Sequence, residues 1–457
     1  MNSKMESSSL ELKGMHTLVP RTIPLEEHAI TPSKIDRDAL FVLKKLDSAG
    51  FKGYLVGGGV RDLYLKKTPK DFDISTDARP GQLRKLFPNS NTIGRRFRLV
   101  QVFFRGGQTI EVSTLRSLSE HDIDGPEAVL APNNTFGTLS EDAGRRDLTI
   151  NALFYEIKDK TIIDHINGIE DLDNAIIRIV GDPVRRIRRD PVRMMRAIRH
   201  GARNNFTIEE KTWKAITSNC EKLTQCPPSR LRDEILKDLY SGSSAPWFDQ
   251  AFNSGIFTVL FPLYEKIFST CKRANIDIKS ELSQIFTTID RLNSLCQELS
   301  IHRQPDFFLF ALFLTPWAES RFQLFSIPRK GGQLFQISKQ IRAELDQTIG
   351  ISLNLRRSLR QEIVSLLTNL SLLIHNNTNN NWPKWLRKKS YFPKTSLFYH
   401  FYTEATTGKL VPDHYIKTDQ PRPQPERDLH KKTSRSRAKT RPAFAAQTKG
   451  GIFGLKK

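Results

Sequence analysis

Two aspartates two positions apart, Asp71 and Asp73, are the first residues of this 457-residue chain whose types and spacing could do chemistry. In an extended segment successive side chains alternate between faces, so Asp71 and Asp73 share one face, about 7 Å apart, while Phe72 and Ile74 take the other. Bare carboxylates at that separation repel, and the arrangement suggests a bound divalent cation. Oxygen donors of this kind suit Mg²⁺, which keeps waters and substrate phosphates as its other ligands. A lone Asp-x-Asp is more often a solvated strand face, so its meaning depends on its surroundings. Upstream, Gly57-Gly58-Gly59-Val60-Arg61-Asp62 follows a short apolar run, Tyr54-Leu55-Val56. Glycines let backbone N–H groups approach a phosphate, and Arg61 could grip a triphosphate oxygen, although the same run also makes a plain tight turn. It is neither a Walker loop nor a Gly-x-Gly-x-x-Gly loop. Downstream, Glu111 alternates with Ile110 and Val112, so a neighbouring strand can offer it as a third acidic group.

These residues need elements to position them. Apolar spacing predicts a helix from Asp36 to Ser48, with Gly50 as its stop. Strands are expected at Tyr54–Val56, Asp71–Ser75, Leu99–Phe104, Thr109–Leu115, Thr161–Asp164 and Ile176–Val180, with helices at Pro80–Phe87 and Glu141–Tyr155. Strands alternating with helices over about 150 residues indicate an α/β or α+β domain. Beyond Asp182 the strand signal almost vanishes and helical periodicity takes over, at Ile187–Arg203, Leu231–Tyr240 and Phe307–Leu314.

The order of motifs carries more than any one of them. Leu55–Asp62, Lys70–Thr76, Glu111, Arg145-Arg146-Asp147 through Asn151, Asp164–Leu172 and Asp190–Arg199 follow one another over roughly residues 36–242, about half the chain. This text is similar to the nucleotidyltransferase superfamily of DNA polymerase β. Within it, the chain resembles the class that unites bacterial poly(A) polymerases with class II tRNA CCA-adding enzymes. By that resemblance Asp71 and Asp73 are the metal-binding catalytic carboxylates, and Asp147 is the acidic residue of the family's Arg-Arg-Asp motif. Gly57, Gly58, Arg61 and Arg146 fall where the family holds the nucleotide's phosphates and sugar. The implied fold is α+β: a polymerase β-like head with a mixed sheet, then an elongated all-helical half.

The stretch Asp190-Pro191-Val192-Arg193-Met194-Met195-Arg196-Ala197-Ile198-Arg199 reads as one helix. Residues three apart drift round a helix by about 60° per step, so Asp190, Arg193 and Arg196 fan over one face and Arg199 ends opposite Asp190. A carboxylate beside a guanidinium matches the N6 donor and N1 acceptor of adenine, while an intrahelical ion pair on a wet face is the simpler reading. The resemblance favours nucleotide selection here. Arg189 stands where many members carry Glu, which changes the charge around the motif.

Composition narrows the partner. A net charge of +22 suits a polyanion, and nucleic acid is the commonest. No apolar run approaches the roughly 20 residues that cross a bilayer, and residues 1–21 lack a secretory pattern. The four cysteines, Cys220, Cys226, Cys271 and Cys296, form no Cys-x-x-Cys pair and read as reduced thiols of a cytoplasmic protein. The expected organisation is an irregular leader (1–33), a nucleotidyltransferase head (34–182), a helical neck that binds nucleotide and RNA (183–245), a helical body (246–375), a helical or irregular region (376–420) and a disordered basic tail (421–457). That tail holds eleven Lys or Arg against two acidic residues.

The activity that the resemblance implies is template-independent addition of A to RNA 3′ ends from ATP with two Mg²⁺ ions, in the service of RNA turnover. Ile93–Val102, with Arg95-Arg96-Phe97, resembles the poly(A) branch, and so do Ile23-Pro24, His28-Ala29-Ile30 and the basic tail. A basic tail holds RNA through phosphates and without strong sequence preference. The alternatives are CCA addition to tRNA and a non-catalytic basic RNA-binding protein on the same scaffold. Trp382 and Trp385 in the helical half are either base-stacking residues or, more commonly for such residues, core.

Overall fold

The structure, a computed structural model, describes residues 19–94, 99–117, 136–270, 272–378, 381–412 and 415. The Arg95–Arg98 stretch and the basic segment 421–457 lie outside the described residues. The first half is built on a mixed sheet whose strands are β1 (Arg21–Ile23), β2 (Gly53–Val56), β3 (Asp73–Thr76), β4 (Ser90–Ile93), β5 (Leu99–Phe103), β6 (Thr109–Thr114), β7 (Leu153–Glu156) and β8 (Thr161–Asp164). Their spatial order is β1-β8-β7-β2-β3-β6-β5-β4. Within this sheet only β3 and β6 pair in parallel; every other pair is antiparallel.

The helix Arg37–Ser48 shows why the predicted elements form. Asp36 caps it by accepting from the backbone N–H groups of Asp38 and Ala39, and its buried stripe is Ala39, Val42, Leu43 and Leu46. On the opposite side of the chain's midpoint the structure is almost entirely helical. Its core is aromatic: Phe248 stacks on Phe286 at 4.8 Å between ring centroids, and Phe286 on Phe313 at 5.7 Å. Rings in such offset contacts contribute beyond the area they bury.

Several expectations are corrected. Residues Glu141–Tyr155 are not one helix: the helix spans Leu139–Arg145, a 3₁₀ turn spans Thr149–Asn151, and Leu153–Glu156 is β7, a central strand. The segment Ile187–Arg203 is broken in two, Pro183–Arg189 and Val192–Asn204, because Asp190 precedes Pro191 and adopts φ −142°, ψ 84°. A residue before proline is pushed out of the α region. The leader is not wholly irregular, since Arg21–Ile23 forms the sheet edge β1 on β8, and the Nε2 of His28 lies 3.0 Å from the Lys160 carbonyl. The strand expected over Ile176–Val180 is only Ile176–Ile177, paired in parallel with Thr207–Ile208. Asp71 and Phe72 lie just before β3 rather than within it.

Candidate active site

The parallel register of β3 and β6 sets Asp73 opposite Glu111, Ile74 opposite Val112 and Ser75 opposite Ser113. Alternation then divides the sheet. Ile74, Val100, Val102, Ile110 and Val112 enter the core, while Asp73, Ser75, Glu111 and Ser113 line the other face. Gln101 on β5 joins this polar strip and donates to Glu111 Oε1 at 3.1 Å. The Ser75 and Ser113 hydroxyls lie 3.1 Å apart.

Charges of one sign meet at the head of the strip. Desolvation, then the charges of Glu111 and Asp71, push the Asp73 carboxyl up to about 6, with Arg146 opposing them. A carboxyl destabilised by two neighbouring carboxylates is one that a divalent cation would relieve. Hard oxygen donors in incomplete coordination fit Mg²⁺, which reserves positions for water and phosphate. Among the described residues no three His, Cys, Asp or Glu side chains form a ready-made metal cage. Asp71, Asp73 and Glu111 form an open edge instead, the side chains that an incoming ion would meet with positions left for water and phosphate.

The glycine run lies across the start of β3. Gly57 has φ +69° and ψ −136°, a conformation open to glycine alone, and the helix Gly58–Tyr64 begins directly after it. A Cβ on Gly59 would stand 3.4 Å from the Asp71 carbonyl, so this glycine permits the close approach of the turn to the acidic segment. Arg61 departs from its expected role. It is only 3% exposed; its Nε and Nη2 donate to Asp62 Oδ1 at 2.9 and 2.7 Å, and its Nη1 to Asn151 Oδ1 at 2.5 Å. His200 Nδ1 lies 3.3 Å from the same Nη1. Burial, then the Arg61 charge, holds His200 down to about 3, so its neutral ring is the acceptor. Arg61 braces the glycine turn from behind.

Arg146 borders the acidic edge. Its Nη2 donates to Ser75 Oγ at 3.2 Å and to Asp142 Oδ2 at 3.0 Å, and its guanidinium lies 5.0 Å from the Phe154 ring centroid. Asp142 is fully buried and also accepts from Arg145 Nε at 2.7 Å. Burial alone would raise the Asp142 carboxyl; the two arginine charges outweigh it and hold it below the usual range. Arg193 donates to the backbone carbonyls of Arg146 at 2.7 Å and Arg145 at 3.0 Å. It anchors the Arg-Arg turn and does not stand beside Asp190 as a free donor fork. The partner of Asp190 is Arg230, at 2.8 Å to each carboxylate oxygen.

Asp147 lies in a second cluster. Its Oδ2 accepts from Arg196 Nη1 at 3.0 Å, and its Oδ1 from the Leu148 N–H at 2.9 Å. Burial favours the protonated form, but the charges of Arg196 and Arg193 prevail and keep Asp147 ionised. Arg196 continues to Glu234 at 3.5 Å, and Arg199 binds Glu234 at 2.6 Å and Asp238 at 2.5 Å. The structure thus brings Asp71, Asp73, Glu111 and Arg146 together, and places Asp147, Arg196 and Arg199 in a separate lattice of ion pairs. Asp142, Asn151, Arg230, Glu234 and Asp238 were not read from the sequence. Two of these signals were legible: Asp142 stands three and four residues before Arg145 and Arg146, and Glu234 and Asp238 share a helix face at i,i+4. Nothing in the sequence pointed to Arg230.

Comparison with known proteins bears on the same regions. Residues 53–178 match the poly A polymerase head domain, and residues 205–268 match the probable RNA and SrmB-binding site of polymerase A. The poly(A) polymerase I of Salmonella typhi is 40% identical over 304 residues, 65% of this chain and 64% of that protein. That of Escherichia coli O6:H1 is 38% identical over 305 residues, again 65% and 64%. The chain thus spans a little under two thirds of these relatives' length. A CCA-adding enzyme of Lactobacillus helveticus is 44% identical over 200 residues, 44% of this chain and 49% of the relative. The fold is shared with the CCA-adding enzyme of Bacillus stearothermophilus, solved in complex with CTP, at a TM-score of 0.55 and 23% identity, covering 85% of this chain and 82% of that one. The chain is thus similar in its head segment and its RNA-binding segment to the bacterial poly(A) polymerases, and over a shorter stretch to a CCA-adding enzyme.

Proposed function

We propose that this chain is a template-independent poly(A) polymerase, transferring AMP from ATP to RNA 3′ ends in the cytoplasm, without strong preference for RNA sequence. The observation that carries the reading is the acidic edge, where Asp73 and Glu111 face each other across the parallel strands beside Asp71 and Arg146. The resemblance to curated poly(A) polymerases at about 40% identity supports adenylate as the added unit.

In the reaction the RNA 3′-oxygen bonds to the α-phosphorus of ATP, the bond from that phosphorus to the bridging oxygen breaks, and pyrophosphate leaves. Two Mg²⁺ ions, when bound, neutralise charge on the attacking and leaving oxygens of such an in-line transfer. Asp71 and Asp73 hold them, with Glu111 as the third acidic group. Arg146, held at β3 by Ser75 and Asp142, contributes positive potential beside the phosphates. The Gly57–Gly59 turn lets the phosphates approach the backbone. Base choice falls to the Asp190 region, with Arg230 as the partner that fixes its carboxylate.

The CCA-adding relative at 44% identity favours a second reading, stepwise addition of C, C and A to tRNA. The two separate when purified protein is incubated with generic RNA and with tRNA lacking CCA, each nucleoside triphosphate being supplied alone. Long A tracts on generic RNA support the poly(A) reading. Incorporation of C on tRNA alone overturns it.

A further inference from the structure

Between Glu362 and Glu404 the chain contains no acidic residue but five Lys or Arg: Lys384, Arg387, Lys388, Lys389 and Lys394. Lys394 is paired with Glu362 at 3.0 Å and covers the Phe307 ring at 4.7 Å. The other four are exposed and, among the described residues, have no side-chain partner. In their midst Trp385 is 51% exposed.

The two tryptophans of this segment divide sharply. Trp382 is half-buried and held: its indole N–H donates to the Leu373 carbonyl at 3.0 Å, and it meets Phe392 and Tyr399 edge-on at 5.4 and 5.2 Å. Together with fully buried Leu386, it anchors the helical turn Lys384–Arg387 from within. Trp385 needs no such role, because the turn is already held. It presents a ring to solvent inside a field of unpaired cations.

Aromatic rings interleaved with unpaired cations are what single-stranded nucleic acid requires. Phosphates are drawn by the charge, and an unstacked base finds a flat partner. An acidic protein segment would use the cations but gain less from one isolated ring. A membrane surface calls for a longer apolar face than a four-residue turn provides.

We propose that Lys384, Trp385, Arg387, Lys388 and Lys389 form a second RNA-binding surface, at which one base of single-stranded RNA stacks on Trp385 while the cations hold the flanking phosphates. It lies outside both matched family segments, residues 53–178 and 205–268. The inference rests on the proposed RNA substrate, and it concerns affinity for longer RNA rather than the transfer step.

The test uses the full chain, a labelled 20-nucleotide oligo(A), a duplex of the same length, and the variants W385A, W385F and K388Q/K389Q. W385A should weaken oligo(A) binding roughly tenfold, as expected for loss of one base–aromatic stack, and W385F should restore most of it. K388Q/K389Q should flatten the dependence of log K on log salt by about 1.4, at about 0.7 per phosphate contact. Duplex binding by W385A should match the unsubstituted protein, because its bases are not available. All three positions are exposed, so melting temperatures should stay unchanged. Equal oligo(A) affinity and salt slope in all variants would overturn the surface, and would mark the patch as a docking site for an acidic protein or a solvated face. Failure of the parent chain to bind RNA or to add AMP would instead overturn the proposed function.

Discussion

At the residue scale, the proposed function gives Asp71 and Asp73 the transfer chemistry, and on that reading their removal should act on catalysis alone. Asp71→Ala and Asp73→Ala should each abolish AMP incorporation while RNA binding persists, as expected if the carboxylates hold metal rather than RNA. Incorporation near the parent rate in either variant would refute the assignment. Arg193 yields a different expectation from the one its sequence position suggests. As a neighbour of Asp190 it would tune the choice between ATP and CTP. In the structure it donates to the Arg145 and Arg146 carbonyls instead. Arg193→Ala should therefore lower kcat/KM for ATP and CTP together, by roughly ten- to a hundredfold, the range of one or two charge-assisted hydrogen bonds. A change in the ATP-to-CTP ratio would return Arg193 to base selection. The acidic residues of the edge were legible because strand alternation exposes them; the partners of the arginines were not. An arginine's reach of several bonds lets it pair with any of several acids across the fold, and sequence spacing does not choose among them.

Elements set where those residues point, and here one glycine is decisive. Gly57 combines a positive φ with ψ −136°, and a Cβ there would stand 3.5 Å from Arg146 Nη1. Gly57→Ala should destabilise the head by about 1–3 kcal/mol through backbone strain alone, read as a fall in thermal midpoint. That distance is ordinary van der Waals contact, so Arg146 can stay in place and the cost is one of backbone conformation. A variant with unchanged midpoint and activity would show that the turn relaxes freely. Long, strongly periodic elements such as Arg37–Ser48 emerge from sequence because their buried stripe repeats. Short apolar runs do so unevenly: Tyr54–Val56 reads as a strand and lies in β2, while the run in β7 does not. Leu153–Glu156 follows a helix and continues its apolar rhythm over four residues, too few to separate a strand from a helical turn. Its identity as a central strand is decided by pairing with β8, the next strand along the chain, and with β2, about 100 residues earlier. The break at Asp190-Pro191 was open to reading, since proline constrains the residue before it, and the amphipathic pattern on either side concealed it.

At the scale of the whole molecule, the ion-pair lattice ties the head to the helices that follow. Asp147 in the head binds Arg196, and Arg196 and Arg199 bind Glu234 on the helix Pro228–Leu239. Burial alone would raise the Glu234 carboxyl; Arg199, Arg196 and Lys237 outweigh it and bring it down to about 2. Because the folded value lies below the unfolded one, this stabilisation is fully present above about pH 4.5 and is lost as pH falls towards 2. At most about 3 kcal/mol is at stake, from a shift of about 2.5 pH units. Acid titration of the fold, followed by circular dichroism, should therefore show a steeper loss between pH 4.5 and 2 in the parent chain than in Glu234→Gln. Parallel curves would remove Glu234 from the lattice's stabilising role.

The edge strand β1 has a further consequence, in the order of assembly. Arg21–Ile23 is synthesised well before its partner Thr161–Asp164, which follows about 140 residues later. At a ribosome adding about 5–20 residues each second, the N-terminal strand waits many seconds before anything exists for it to pair with. Without β1 docked, β8 would present a row of unsatisfied backbone groups, the kind of open edge to which a second chain can add. The strand Arg21–Ile23 thus closes the sheet edge, and it can do so only once the distant β8 has been made.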